Sequence, residues 1–504
     1  CPGSACHGFG QRIYISKNDN ERKKNMKNKE VQELEKKLTY TRESAWKSYS
    51  EKQKEKIFAF ADKYKSFLDE GKTERECVEA CISRLEKNGF VNVETKEQLV
   101  PGDRVYRSIR NKGLVAAVIG TEPVVDGMNI LGAHIDSPHI DLKPIPLYED
   151  GGLALMKTHY YGGIKKYQWS TMPLAFHGIM YNSDGEKIRV NVGEDENDPV
   201  FMISELLVHL SQEQLARKAS EAIKGEELNV LVGGMPMEDG EVKEGIKLAV
   251  LKLLNDKYGI TEKDFMTAEI EMVPAYKAKD IGFDRSFVGA YGQDDRVCAY
   301  TSLAALMKVK NPERTCVCLF SDKEEVGSMG NSGAQSMLYE NAMIELIVKT
   351  AGNCSMWDFR NCMNHSHMLS SDVTAAFDPT YASAFDKSNT AFAGSGVCLL
   401  KYTGSRGKAG SNDAHSEFFN TVANVFSKED IPWQTGELGR VDLGGGGTIA
   451  ADMANKGMNV IDCGVPVLSM HAPFEVTSKA DIYSTYEGFL AFLKKMKKDI
   501  EGLA

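Results

Sequence analysis

The sequence predicts an α/β domain interrupted by a β-rich insertion, and three observations predict it. Apolar runs of strand length at 114–119, 128–133, 315–320 and 460–463 alternate with helix-period stretches at 43–70, 297–309, 333–349 and 480–498. Between 142 and 282 the pattern changes to short β-type runs and frequent glycine. The run at 128–133 leads directly into His134-Ile135-Asp136, the way open α/β sheets deliver polar residues to a crevice at their strands' carboxyl ends.

Residues 1–25 carry no amphipathic period and no apolar core of the roughly 7–15 residues a signal peptide needs. They read as an added or upstream-translated extension, with Met26 a plausible start. The first helical face holds Ile57, Phe60, Ala61, Tyr64 and Phe67 or Leu68. Thr73 followed by Glu76 is a capping box, opening a helix with Val78, Cys81, Ile82 and Leu85 on one side that stops at Asn88-Gly89. Within the insertion, β-type runs fall at 178–181, 187–192 and 228–232, and a helix at 243–257. The α/β domain is thus expected over 26–141 and 283–504, with 142–282 inserted.

The 504 residues include 61 Lys+Arg and 71 Asp+Glu, a formal charge of −10. That balance argues against nucleic acid as a partner, since phosphate binding needs a basic surface. No apolar run approaches the roughly 18–20 residues of a membrane helix. Eleven cysteines without a CxxC pair fit reduced thiols, and hence a cytoplasmic location, better than a disulfide framework.

Several residues could do chemistry. His134 with Asp136 reads as a metal-ligating imidazole whose neighbouring carboxylate fixes its tautomer. Asp294-Asp295 follows a Gly-rich stretch and precedes a helix, so a carboxylate there can point into a cleft. Glu324-Glu325 lies beyond the 315–320 strand, where one carboxylate can ligate metal and the other act as base toward a metal-activated water. Asp372 and His471 complete the set. Each is weak alone, since adjacent acids and lone histidines are common on solvated turns. Together, nitrogen and oxygen donors without thiolate suit two Zn²⁺ ions, with Co²⁺ or Mn²⁺ as substitutes. Ions about 3.5–4 Å apart need a bridging carboxylate, for which Asp294 is placed.

The ordered segments GAHIDSPHI (132–140), YGQDDR (291–296), EEVGSMGNSGAQS (324–336), SSDVTAAFDPTY (370–381) and LSMHAPFE (468–475) resemble the aspartyl aminopeptidase/vacuolar aminopeptidase I family of zinc metallopeptidases. HYYGGIKKYQW (159–169) and GEELNVLVGGMP (225–236) resemble its bacterial-type members. The resemblance implies a mixed-sheet, co-catalytic zinc aminopeptidase domain with an inserted dimerisation domain. It also implies two Zn²⁺ per subunit: His134 and Asp372 on one, Glu325 and His471 on the other, and Asp294 bridging. Glu324 would be the base and Asp136 the orienting acid. His209 matches a histidine that reaches a neighbouring subunit's site, and Lys401 a substrate-contacting lysine. Partners would be peptides with a free amino terminus and further copies of the chain, up to a tetrahedral dodecamer.

Two positions depart from the eukaryotic members: Ala375 stands where they have a substrate-binding histidine, and Lys408 where they have a tyrosine. Both bear on an acidic side chain, so the resemblance does not extend to an aspartyl preference. A related dinuclear amidohydrolase, of glutamyl aminopeptidase or deacetylase type, and a catalytically silent scaffold remain the alternatives. His365-Ser366-His367 reads as incidental, and Gly444–Gly447 as a loop permitting close backbone approach to a substrate.

Overall fold

The computed structural model describes residues 17–238 and 242–503, with side chains from 28 onward. The described residues fall into two compact units, divided between Glu43 and Ser44. The first contains the helix Lys17–Leu38, which periodicity does not detect because its described residues are all exposed and it has no apolar stripe. Lys, Glu and Gln suffice as helix formers there. The expected extension over 1–25 lies partly outside the described residues and partly in this helix.

The second unit is built on a nine-stranded mixed sheet. Its strand order is Val91–Asn92, Arg104–Ile109, Gly113–Val118, Thr315–Ser321, Met128–His134, His367–Ser370, Asn459–Gly464, Val397–Leu400 and Trp433–Thr435. Four neighbours at its centre, Thr315–Ser321 through Asn459–Gly464, run parallel. Ser321 pairs with His134, and Ser370 with Gly132 and Asp462, so their carboxyl ends lie at one edge.

Alternation along each central strand divides the side chains between two cores. Leu131, Ala133, Cys316, Cys318, Phe320, Leu369 and Ile461 face the helices Glu51–Glu70, Glu74–Lys87, Gln293–Lys308, Ser416–Lys428 and Lys479–Lys495. Met128, Ile130, Val317, Leu319, Met368 and Val460 face Met337–Ala351, Met356–Asn364 and Ile449–Ala454. Burial on both faces is why these strands read as continuous apolar runs.

The helix expected over 43–70 is two, Ala45–Ser48 and Glu51–Glu70. Between them Ser50 is extended, and its N–H donates to Gln53 Oε1 at 3.0 Å. The Thr73 box forms with both of its hydrogen bonds, 3.3 Å each.

A second, seven-stranded sheet is antiparallel throughout and spans 139–274. Its order is Lys187–Val192, Leu174–Tyr181, Glu269–Pro274, His139–Asp150, Leu153–Tyr161, Val230–Gly233 and Met202–Ile203. The helix Gly245–Tyr258 packs Ile246, Val250 and Leu254 against it. Buried Lys72, in the turn between the helices Glu51–Glu70 and Glu74–Lys87, ties them to strand ends of this sheet, reaching Glu194 at 2.6 Å and the carbonyls of Pro274 and Tyr276 at 2.8 and 3.1 Å. A third sheet orders Lys279–Ile281, Phe287–Ala290, Glu475–Ser478, Pro466–Leu468 and Thr374–Ala375. It carries the segments on which Asp294, Asp372 and His471 sit.

Candidate metal centre

The site lies at the common carboxyl edge of the four parallel strands. His134 ends Met128–His134, and Glu324 and Glu325 form a short turn after Thr315–Ser321. Asp372 follows His367–Ser370, and His471 lies beyond Asn459–Gly464 and Pro466–Leu468. Asp294 enters from the third sheet, just after Phe287–Ala290, and the Asp294–Asp295 peptide is cis.

Asp294 stands at the centre of the cluster. Its Oδ1 is 3.1 Å from His134 Nε2, and its Oδ2 is 3.2 Å from His471 Nε2. His471 Nε2 is also 3.3 Å from Glu325 Oε2, and His134 Nε2 is 3.9 Å from Asp372 Oδ1. The opposite face of each imidazole is held by a backbone carbonyl: His134 Nδ1 lies 3.0 Å from Asp136 O, and His471 Nδ1 2.9 Å from Gly163 O. A carbonyl only accepts, so each Nδ1 carries the proton. Each Nε2 is therefore the nitrogen that faces the carboxylates: it donates to Asp294 here, and on giving up that proton it would offer a metal its lone pair.

Asp136 does not point into the cluster but braces it. Its oxygens accept the backbone N–H groups of Glu324 and Glu325, each at 3.2 Å. Glu475 braces the other side, accepting the N–H of Asp294 at 3.0 Å and of His471 at 2.8 Å.

Keeping all of these carboxylates ionised at once would call for a cation. Burial pushes the carboxyls of Glu325 and Asp372 well above the usual range, with nearby Asp294 adding to the rise at Glu325. Burial and the surrounding carboxylates push Glu324 up to about 7. For Asp294 burial is outweighed by hydrogen bonds from His134 and His471, which hold it well below that range. Glu325 Oε1 and both oxygens of Asp295 are buried without hydrogen-bond partners. Two sets of donor atoms within 4.8 Å of one another, His134–Asp295–Asp372 and His134–Asp294–Glu325, could each hold an ion. Orphaned buried oxygens beside two imidazoles whose Nε2 atoms face the same carboxylate fit divalent zinc.

Not every residue singled out from sequence joins this cluster. His209 is exposed in the short turn Val208–Leu210, amid the exposed side chains of Leu206, Leu207, Val208 and Leu210. Lys401 is exposed beyond Val397–Leu400, a strand antiparallel to Asn459–Gly464. Ala375 lies in the third sheet, and Lys408 pairs with Asp413 at 2.9 Å while covering the Tyr402 ring. His365 and His367 turn to backbone carbonyls, of Asn361 and of Lys497 and Lys498 respectively. In Gly444–Gly447, the Gly446 carbonyl accepts Gly404 N–H at 2.7 Å, so the close approach those glycines allow here is to another loop.

Tyr161, Gly163 and Glu475 escaped the sequence reading as parts of the site. All three lie in segments that carried the resemblance, but a hydroxyl, a carbonyl and one more acid carry no signal without geometry.

The profile of the aminopeptidase I zinc metalloprotease (M18) family matches residues 67–493. The probable M18 family aminopeptidase 1 of Clostridium acetobutylicum is 53% identical over 454 residues, 89% of this chain and 97% of that protein. The crystal structure of an M18-family aminopeptidase from Thermotoga maritima superposes with a TM-score of 0.88 at 43% identity, over 91% of this chain and 100% of that one. That of aminopeptidase I from Clostridium acetobutylicum gives 0.84 at 49% identity, over 90% and 100%.

Proposed function

The chain belongs to the aminopeptidase I zinc metalloprotease (M18) family and is a metal-dependent aminopeptidase, and from that premise we propose that it removes the amino-terminal residue of peptides at a dinuclear zinc site. The observation that carries this reading is Asp294, whose two oxygens face the Nε2 atoms of two different histidines. His134 and Asp372 would hold one ion, Glu325 and His471 the other, and Asp294 both.

Bound there, zinc would polarise the scissile carbonyl and lower the pKa of water from 15.7 to about 7. The protein's own groups do the rest. Glu324, beside the cluster but making none of its imidazole contacts, takes the proton from the attacking water and returns it to the leaving amine. Asp136 holds the backbone of Glu324 and Glu325 in place. We assign 142–282 as the inserted, subunit-contacting domain of an α/β peptidase domain over 26–141 and 283–504. His209, exposed among apolar side chains, then serves a neighbouring copy in a homo-oligomer, up to a tetrahedral dodecamer. An oxyanion donor supplied in this way is worth about 3 kcal/mol. Lys401 contacts substrate. Among the described residues no cysteine is in a disulfide, which suits a reducing, cytoplasmic setting.

Glu324→Gln tests the mechanism: it should retain bound zinc and lose nearly all turnover, whereas wild-type turnover removes Glu324 from it. A panel of aminoacyl substrates with free and N-acetylated amines tests the reaction class, since cleavage of only the free-amine series separates a peptidase from a deacetylase.

A further inference from the structure

The seven-stranded sheet sends one strand end into the metal cluster of its own chain. Beyond Leu153–Tyr161 the turn Gly162-Gly163 passes beside Glu325 and His471. The Tyr161 hydroxyl donates to Asp136 Oδ2 at 2.8 Å. Through its other contacts that carboxylate ties together the N–H groups of Glu324 and Glu325 and lies 3.3 Å from His134 Nδ1. Two residues on, the Gly163 carbonyl accepts a hydrogen bond from the His471 Nδ1–H at 2.9 Å.

The turn has the geometry for so close an approach. Gly162 has φ +75°, and a Cβ on it would lie 3.4 Å from Glu325 Cβ. A Cβ on Gly163 would lie 3.3 Å from His471 Nδ1, and Gly163 is outside the left-handed region. The Tyr161 ring is anchored separately from its hydroxyl, stacked on His139 with centroids 4.4 Å apart and planes 13° from parallel. His139 is in turn fixed by Ser137 O at 2.8 Å and Asp141 Oδ1 at 3.1 Å.

We propose that Tyr161 and Gly163 are positioning residues for the metal centre: the β-rich segment completes the site in cis, Tyr161 by orienting Asp136 and Gly163 by fixing His471. This rests on the ligand assignment above and is separate from the role given to His209, which acts between copies. Outer hydrogen bonds of this kind keep ligand rings in one tautomer and direction, and losing one costs about 10–100-fold in metal affinity or activity.

Tyr161→Phe removes only the hydroxyl and leaves the stacked ring. In the full-length protein it should keep the wild-type KM and, with the metal removed, the wild-type melting temperature. Zinc affinity, measured by competition with a chelator, or kcat should fall about 10–100-fold. The visible spectrum of the cobalt-substituted protein should also change, which a packing role would not cause. Gly163→Ala, compatible with its backbone, should shift the same spectrum by crowding His471. If Tyr161→Phe and Gly163→Ala both show wild-type zinc affinity, cobalt spectrum and kcat while Glu324→Gln is inactive, this inference fails and the ligand assignment stands. If Glu324→Gln turns over normally, both fail.

Discussion

His367 makes the stability of this protein depend on pH in a direction and amount that can be worked out. It sits in the parallel strand that delivers Asp372, paired with Asn459 and Asn129. Its Nε2 lies 2.9 and 3.0 Å from the carbonyls of Lys497 and Lys498, so that nitrogen carries the proton. Its Nδ1 faces the Asn459 amide at 3.3 Å and has no need of one. Burial, reinforced by the Arg314 guanidinium, lowers the imidazole from its ordinary 6.5 to about 4. Above pH 6.5 both folded and unfolded chains hold it neutral, and it adds no slope. As pH falls from 6.5 toward 4 the unfolded chain takes up a proton that the folded chain refuses, so stability falls with pH; below about 4 the loss levels off. At about 1.4 kcal/mol per pH unit the full loss is about 3 kcal/mol. Asp322 and Asp462, each raised by burial to about 6, titrate in the same window, so the quantity to measure is the difference between wild type and His367→Gln, which can still donate to the carbonyls. Urea unfolding at pH 7 and pH 4 should show that difference moving by about 3 kcal/mol in favour of the variant at low pH. A constant difference would refute the claim that the fold holds His367 neutral.

Other outcomes follow from the packing around the site. Gly464→Ala would press a Cβ into the Asp372 carbonyl; displacing that ligand by about 1 Å should lower kcat/KM about 100-fold, and an unchanged value would show that the strands can part without cost. Lys72→Met strips Glu194 of its buried cation where the helices meet the antiparallel sheet and should cost about 3 kcal/mol in urea unfolding; a loss under about 1 kcal/mol would mean that His177 alone satisfies Glu194. Dialysis against a chelator should abolish turnover and lower the melting temperature. Zinc restored to 100 times its Kd should return about 2.7 kcal/mol of stability, and a melting temperature indifferent to zinc would count against a folded-state site.

The sheet core was legible because its strands are buried on both faces, and 114–119, 128–133, 315–320 and 460–463 lie within a residue or so of the observed elements. Short or edge elements were not. Val397–Leu400, Trp433–Thr435 and Thr374–Ala375 are too brief for a period to register. The helix Ser416–Lys428 was missed although Phe418, Val422 and Phe426 lie at helical spacing and are buried. At the site, residue type and a place at strand ends singled out His134, Asp294, Glu324, Glu325, Asp372 and His471, and these the fold brings together. What sequence could not convey is pairing across distance. That Asp136 accepts from Tyr161, or His471 donates to Gly163, depends on how two sheets meet, and neither partner carries a charge to advertise it.

The central strands appear in the chain as Met128–His134, Thr315–Ser321, His367–Ser370 and Asn459–Gly464, and the last imidazole comes only at His471. A ribosome adding roughly 5–20 residues per second spends tens of seconds or more on a chain of 504 residues. Until His471 emerges, Asp294 and Glu325 lack the partner that closes their half of the cluster. On the proposed ligand set, a nascent chain would therefore lack peptidase activity until that last segment is made.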